Sequence, residues 1–183
     1  VYYHLGMINT AQTFFFEAQE GSPGVQRSAW LTQALVKTNI INGDYEVARK
    51  YVGALKQTFF YFIWAMETEK LLDEPGLINN VPEYEYLRSI RIKEHDFMFS
   101  QVEMDSMLGL LYVENNSNTM AMDYLLAWCL LRKDLQRFFE CHKLLKEGYD
   151  ARHYQEAVVL YWALTHDGPE GMPSFVTRNT ASS

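Results

Sequence analysis

The sequence is poor in cysteine, in basic residues and in long apolar runs. Only two of its 183 residues are cysteines, Cys129 and Cys141, so disulfides do not build the fold. Lysine and arginine number 16 against 23 aspartates and glutamates, which gives a net charge of −7. Because a nucleic-acid binder needs a basic face, this balance argues against one and disfavours an anionic membrane surface. No apolar run approaches the roughly 20 residues of a transmembrane helix, and no signal peptide is visible.

Recognisable catalytic and cofactor motifs are also missing. The sequence contains no glycine-rich phosphate loop, no Gly-x-Ser-x-Gly, and no histidine pair at the spacing of a helical zinc site. The densest polar trio is Glu94-His95-Asp96. Adjacent residues on a helix point in different directions, so we interpret this trio as solvated surface. We therefore predict no catalytic, cofactor-binding or metal-binding residues.

What the sequence does have is apolar and aromatic side chains. Hydrophobic residue types make up 48% of the chain, including 11 Phe, 12 Tyr and 4 Trp. This content can bury one sizeable core and excludes disorder over most of the length. The chain begins at Val1 rather than methionine, so we expect it to be a piece of a longer protein.

Apolar residues recur every three or four positions, which predicts an all-α fold of about nine helices. Asp73–Pro82 is the longest predicted irregular stretch and a possible break between sub-units. We predict one helical domain over residues 1–167, followed by a flexible tail over 168–183. The predicted helices are Val1–Gln19, Ser28–Ile41, Asp44–Lys56, Thr58–Leu72, Glu83–Lys93, one that opens at Ser100, Asn118–Leu131, Asp134–Glu147 and His153–His166.

Two segments share a helix-turn-helix spacing in full, and a third, from Tyr154 to Leu164, shares part of it. The first runs from Leu35 through Gly43-Asp44-Tyr45 to Ala48 and Leu55. The second runs from Leu125 through Lys133-Asp134-Leu135 to Phe138 and Leu145. This spacing resembles the tetratricopeptide repeat (TPR), although Phe138 stands where that family prefers alanine. The resemblance implies stacked antiparallel hairpins in a right-handed, TPR-like α-solenoid.

Longer segments resemble a second family. "NGDYEVARKYVGALKQTFFYFIWA" and "YLLAWCLLRKDLQRFF" are similar to the soluble C-terminal part of an uncharacterised bacterial membrane-protein family of unknown function. The resemblance implies a bacterial source and transmembrane helices upstream of Val1. It also implies that membrane contact occurs only through segments outside this sequence. It implies no activity and no further localisation.

Three features leave alternatives open. Cys129 and Cys141 fall on the two helices of one predicted hairpin, where they would form a disulfide, a redox pair or, as we prefer, buried free thiols. Arg88, Arg91 and Lys93 are interpreted as a solvated face, with a small anion site as the alternative. Aromatic runs such as Phe14-Phe15-Phe16 and Phe59–Trp64 exceed what one stripe per helix can bury. They indicate either helices sandwiched between neighbours or an aromatic groove or interface.

The predicted function follows from the solenoid. Stacked hairpins present their first helices on a concave face, which in solenoids commonly binds an extended peptide or another protein. We therefore predict a non-enzymatic protein- or peptide-binding module, with Gln33, Lys37, Asp123 and Trp128 as binding residues. The alternative is an enzyme or accessory domain whose acidic, aromatic cleft acts on a polar small molecule such as a carbohydrate.

Overall fold

The computed structural model describes residues 1–21, 28–92, 96, 104–145, 151–168 and 170. These residues form nine α-helices, one 3-10 helix and no strand, which confirms the all-α prediction. Apart from residues 168 and 170, the predicted tail over 168–183 lies outside the described residues. The helices are α1 (Ile8–Glu20), α2 (Ala29–Asn42), α3 (Tyr45–Leu55), α4 (Phe62–Asp73), the 3-10 helix (Pro75–Asn80), α5 (Pro82–Ile90), α6 (Met104–Glu114), α7 (Thr119–Leu131), α8 (Leu135–His142) and α9 (Arg152–Thr165).

The chain forms two compact units. The first comprises Val1–Glu103 and Glu114–Asn118, and the second comprises Met104–Val113 and Thr119–Ser183. Residues 73–82, where the sequence indicated a possible break, lie inside the first unit. Part of that stretch is a 3-10 helix where we expected irregular chain. The domain boundaries drawn from the sequence stay a prediction.

The first unit has a core built from the apolar stripes of α1 to α5. On α3, Ala48, Val52 and Leu55 recur at helical spacing and are all buried, while the residues between them are largely exposed. On α4, the buried positions Ala65, Thr68 and Leu72 follow the same rule. Each fully buried leucine contributes about 1.5–3 kcal/mol relative to an exposed one. The periodicity of the sequence therefore assigns the inward face of α3 correctly. For α4 the spacing of Phe59, Ile63 and Met66 predicts the inward stripe, and this prediction is wrong because Phe59 and Ile63 are exposed.

The start of the chain differs from the prediction. The helix expected from Val1 begins only at Ile8, and the preceding residues form turns. Gly6 has φ +83°. This left-handed conformation is incompatible with an α-helix and favours glycine. A Cβ atom at Gly6 would lie 2.9 Å from the carbonyl oxygen of Ile90. The chain start therefore approaches the backbone at the end of α5 as closely as a glycine permits.

The two turns that the sequence aligned share one backbone pattern. After α2, the N–H of Gly43 donates to the Ile40 carbonyl at 3.2 Å, and the N–H of Asp44 donates to the Asn39 carbonyl at 2.9 Å. After α7, Lys133 and Asp134 make the same two bonds, each at 2.9 Å, to the equivalent carbonyls. This pair of bonds is the Schellman motif, which needs a positive φ at the first residue after the helix. Gly43 has φ +90° and Lys133 has φ 60°.

The second unit has an aromatic core around Phe138 of α8. This side chain is fully buried, and its ring centroid lies 5.9 Å from that of Tyr154 on α9. Cys129 and Cys141 are free and buried in the same unit. Burial raises the pKa of Cys129 to about 12 and also raises the pKa of Cys141. Both thiols are therefore protonated at neutral pH, which favours the buried-thiol interpretation over a redox pair.

Candidate functional site

A cleft of about 340 Å³ opens on the first unit. Its volume lies within the range of roughly 300–1,000 Å³ that is typical of small-molecule sites. Three helices build it, so the position of each lining residue depends on the packing of α1, α2 and α3. The lining residues are Asn9, Gln12, Thr13 and Phe16 of α1, Leu35 of α2 and Tyr51 of α3.

A network of side-chain amides joins α1 to α2 at the cleft. The amide nitrogen of Asn42 donates to Oδ1 of Asn9 at 2.9 Å and to Oε1 of Gln12 at 3.0 Å. Nε2 of Gln12 donates to Oδ1 of Asn39 at 3.2 Å, and Asn39 in turn donates to the Leu35 carbonyl at 2.7 Å. Each amide thus fixes the orientation of the next. Asn9 and Gln12 are held in place before any ligand arrives.

Arg88 of α5 and Arg91, the residue that directly follows α5, support this network from the end of α2. Nη1 of Arg91 donates to the Ile41 carbonyl at 2.7 Å and to Oδ1 of Asn42 at 2.9 Å. Nη2 of Arg88 donates to the Ile40 carbonyl at 2.6 Å. Cations at a helix C-terminus satisfy its free carbonyls and complement its dipole. The interpretation of Arg88 and Arg91 as a solvated face is therefore wrong, and Lys93 lies outside the described residues.

A buried carboxylate accepts hydrogen bonds at the N-terminus of α1. The N–H of Asn9 donates to Oδ2 of Asp96 at 2.6 Å, and the Thr10 hydroxyl donates to Oδ1 of Asp96 at 3.0 Å. Met7, the residue at the helix start, provides no side-chain cap, so Asp96 takes that role from 87 residues away. Burial raises the pKa of Asp96, while these hydrogen bonds oppose the rise. The prediction that Asp96 is solvated is wrong, and Glu94 and His95 lie outside the described residues.

The cleft offers hydrogen bonds and aromatic surface but little acid–base chemistry. Among its six lining residues, the phenol of Tyr51 is the only titratable group. Across the part of the chain that the structure describes, no three His, Cys, Asp or Glu side chains converge as a metal site would require. The lining therefore suits a neutral, polar ligand that is held by amides and ring contacts.

A smaller cavity of about 180 Å³ lies in the second unit. Asp105 of α6 and Glu140 and Cys141 of α8 contribute titratable groups to its lining. Arg137, which also lines it, has Nη1 3.7 Å from Oε2 of Glu140. No aromatic side chain is among the described residues that line this cavity.

Comparison with known proteins identifies a family. The model of a family of unknown function, DUF6057, matches residues 1–183. The chain belongs to this family. No curated protein matches it, and no solved structure does. Because the DUF6057 description gives no activity, the family adds none to the chemistry of the cleft.

Two expectations drawn from the sequence of this DUF6057 chain concern its relation to other families. The relation to tetratricopeptide repeats and the relation to a membrane-protein family both stay predictions. Over the described stretches of the chain, no helix has the length and apolar composition needed to cross a bilayer.

The four binding residues predicted from the sequence lie elsewhere in the DUF6057 chain. Gln33 is half-buried on α2, and Lys37 places Nζ at 3.0 and 2.9 Å from the two carboxylate oxygens of Glu83. On α7, Asp123 accepts a hydrogen bond from the Tyr154 hydroxyl at 2.9 Å, and Trp128 has the Arg132 guanidinium 5.8 Å from its ring. None of the four lines either cavity described above. Their role in binding stays a prediction.

Sequence reasoning missed the amides of the cleft. Asn9 and Gln12 are three residues apart on α1, and Asn39 and Asn42 are three apart on α2. Residues at this spacing share one helix face, so two polar pairs interrupt two apolar stripes. That interruption is a signal that the sequence carries. It could have identified the α1–α2 contact as polar before the structure was known.

Proposed function

We propose that the first unit is a peptide- or protein-binding module and that its cleft holds an extended, uncharged stretch of the partner. The observation that carries this proposal is the amide-lined cleft between α1, α2 and α3. A peptide backbone presents alternating donors and acceptors, and side-chain amides offer both. Asn9, Gln12 and Thr13 supply these groups, while Phe16 and Tyr51 supply surface for a partner side chain.

The TPR-like arrangement is part of the same proposal. Two hairpins, α2/α3 and α7/α8, turn through the same pair of backbone hydrogen bonds at positions that the sequence had aligned. In both hairpins the fourth residue after the turn aspartate is fully buried: Ala48 after Asp44, and Phe138 after Asp134. These shared features support hairpins of one kind, which solenoid proteins use to display binding helices.

The enzyme hypothesis has weaker support. An enzyme that acts on a carbohydrate would need aromatic walls and paired carboxylates in one cleft. In the two cavities described, these features are separated: Phe16 and Tyr51 line the first, whereas Asp105 and Glu140 line the second. The binding hypothesis needs only what the first cavity contains.

Blocking the cleft tests the proposal. The 183-residue chain is immobilised and panned against a random peptide library, and the affinity of enriched peptides is measured by calorimetry. Thr13 is exposed at the cleft, and its hydroxyl donates back to the Asn9 carbonyl at 3.1 Å. Thr13→Arg puts a long side chain into the cleft without removing an amide. We expect it to weaken peptide binding at least tenfold, about 1.4 kcal/mol.

A matched control separates blocking from general charge effects. Thr165 on α9 is likewise exposed and donates back to the Tyr161 carbonyl at 2.8 Å. Thr165→Arg makes the same chemical change outside the cleft and should leave affinity unchanged. If no peptide is enriched, or if both variants bind like the wild type, the cleft is not the binding site.

A further inference from the structure

The connection between α3 and α4 exposes an unusual amount of apolar surface. Phe59 is 90% exposed and Phe60 is 89% exposed, and Ile63 at the start of α4 is 72% exposed. The two phenylalanine rings contact each other edge to face, with centroids 5.4 Å apart. Single exposed apolar residues are common on protein surfaces, but a contiguous cluster of this kind marks an interaction site. We call residues 59–63 the aromatic tip.

The base of this tip is anchored in the first unit. Tyr61 and Trp64 are partly buried and pack against the core of that unit. Before the tip, the hydroxyl of Thr58 donates to the Leu55 carbonyl at 2.7 Å, and the N–H of Gln57 donates to the Ala54 carbonyl at 3.2 Å. The exposed rings therefore stand on a connection that is fixed by hydrogen bonds and core packing.

The charge around the tip differs from that of the whole chain. Residues 47–66 contain Arg49, Lys50 and Lys56 and no acidic residue, although the chain carries a net charge of −7. Two of these cations are already paired: Lys56 with Glu69 at 2.8 Å, and Arg49 with Asp73 at 2.7 Å. The surface of the tip is thus apolar and close to neutral.

We propose that the aromatic tip inserts into the interface of a zwitterionic phospholipid bilayer. Phe59 and Phe60 are almost fully exposed on a connection between two helices, and a deformable medium can receive such rings without a matching cavity. Tyr61 and Trp64 at the base of the tip each have an apolar ring and a polar end, and residues of these types are enriched at membrane interfaces. The paired cations leave little free charge, so the attraction comes from the rings and not from anionic lipid.

This proposal is independent of the peptide-binding function. It also departs from the expectation, drawn from sequence resemblance, that this chain reaches a membrane only through segments outside it. The contact proposed is peripheral, because α4 spans only Phe62–Asp73 and is too short to cross a bilayer.

Vesicle co-sedimentation tests the insertion. The 183-residue chain is mixed with vesicles of phosphatidylcholine alone, and the bound fraction is measured as the lipid concentration increases. We expect the wild type to bind. We expect Phe59→Ser together with Phe60→Ser to lower the partition coefficient about 100-fold, roughly tenfold for each ring. Both side chains are almost fully exposed, so the melting temperature should not fall.

The matched control is Leu131→Ser together with Leu164→Ser, which removes two apolar side chains that are 81% and 70% exposed in the second unit. This variant should bind like the wild type. Three results would overturn the proposal: no binding of the wild type to phosphatidylcholine, binding only when anionic lipid is added, or equal losses in the two double variants. A fourth is dimerisation without lipid, measured by analytical ultracentrifugation, that disappears in the Phe59→Ser/Phe60→Ser variant, because a second copy would then cover the tip.

Discussion

Replacing three glycines by alanine separates backbone strain from steric contact in the first unit. Gly53 lies within α3, has no atom near its missing Cβ and has no positive φ. Gly53→Ala should therefore stabilise the protein by about 0.5–1 kcal/mol, the usual gain for alanine over glycine in a helix. Gly43 has φ +90° but also open space around its missing Cβ. Left-handed backbone costs an alanine about 1–2 kcal/mol, and lower entropy of the unfolded chain offsets about 0.4–1 of it.

Gly6→Ala carries the same backbone cost and an additional clash. Its Cβ would lie 2.9 Å from the carbonyl oxygen and 3.1 Å from the carbonyl carbon of Ile90, both backbone atoms that have no rotamer to change. Forcing an extra carbon into a packed site costs about 1–3 kcal/mol. The total loss should be about 2–4 kcal/mol, compared with a net loss of about 1 kcal/mol for Gly43→Ala.

Urea unfolding followed by circular dichroism measures all three differences in the free energy of unfolding. The expected order of stability is Gly53→Ala, wild type, Gly43→Ala and Gly6→Ala, with the m-value unchanged. If Gly6→Ala is no less stable than Gly43→Ala, the contact between Gly6 and Ile90 does not exist in solution. The packing assigned to the chain start would then be wrong.

Two further substitutions test the shared turns. Lys133 adopts φ 60° at the turn position that Gly43 occupies in the first unit. Lys133→Gly should therefore stabilise the protein by about 1 kcal/mol in the same urea experiment. A loss of stability would show that the α7–α8 turn is assigned incorrectly. Ala48 is fully buried behind the first turn, so Ala48→Leu should cost about 1–3 kcal/mol, while Ala54→Leu on the exposed face of α3 should cost little. An unchanged melting temperature for Ala48→Leu would mean that the first hairpin is misassigned.

Local signals in the sequence predicted most of the helices and the two aligned turns, but not the starts of α1 and α4. Gly43 indicated the end of α2 because glycine takes positive φ without strain. The turn at Lys133 lacks that residue, and its spacing from Leu125 and Phe138, together with Asp134 as a capping residue, located it. The three phenylalanines at 14–16 were too many for one stripe, and Phe14 and Phe16 are indeed exposed. These inferences succeeded because each depends on residues within a few helical turns.

Contacts between distant residues could not be predicted in the same way. Arg88 and Arg91 have the composition of a solvated face, yet their partners at the end of α2 lie 48 and 50 residues earlier. Asp96 belongs to a polar trio that resembles surface, yet it is buried against the start of α1. Helical periodicity reports which face of a helix is apolar. It does not report which charged side chain will satisfy the free backbone groups at the end of another helix.

The capping of α1 by Asp96 sets an order for folding during synthesis. The N–H of Asn9 and the carboxylate of Asp96 are separated by 87 residues, and Asn118, whose amide donates to the Leu5 carbonyl, follows Leu5 by 113. At about 5–20 residues per second, the ribosome delivers Asp96 roughly 4–17 s after Asn9. Until then α1 lacks its cap, and short helices on their own are marginal in water. Of the helices α1 to α9, α1 is made first and is thus among the last to be secured, which leaves its apolar face open to chaperones in the interval.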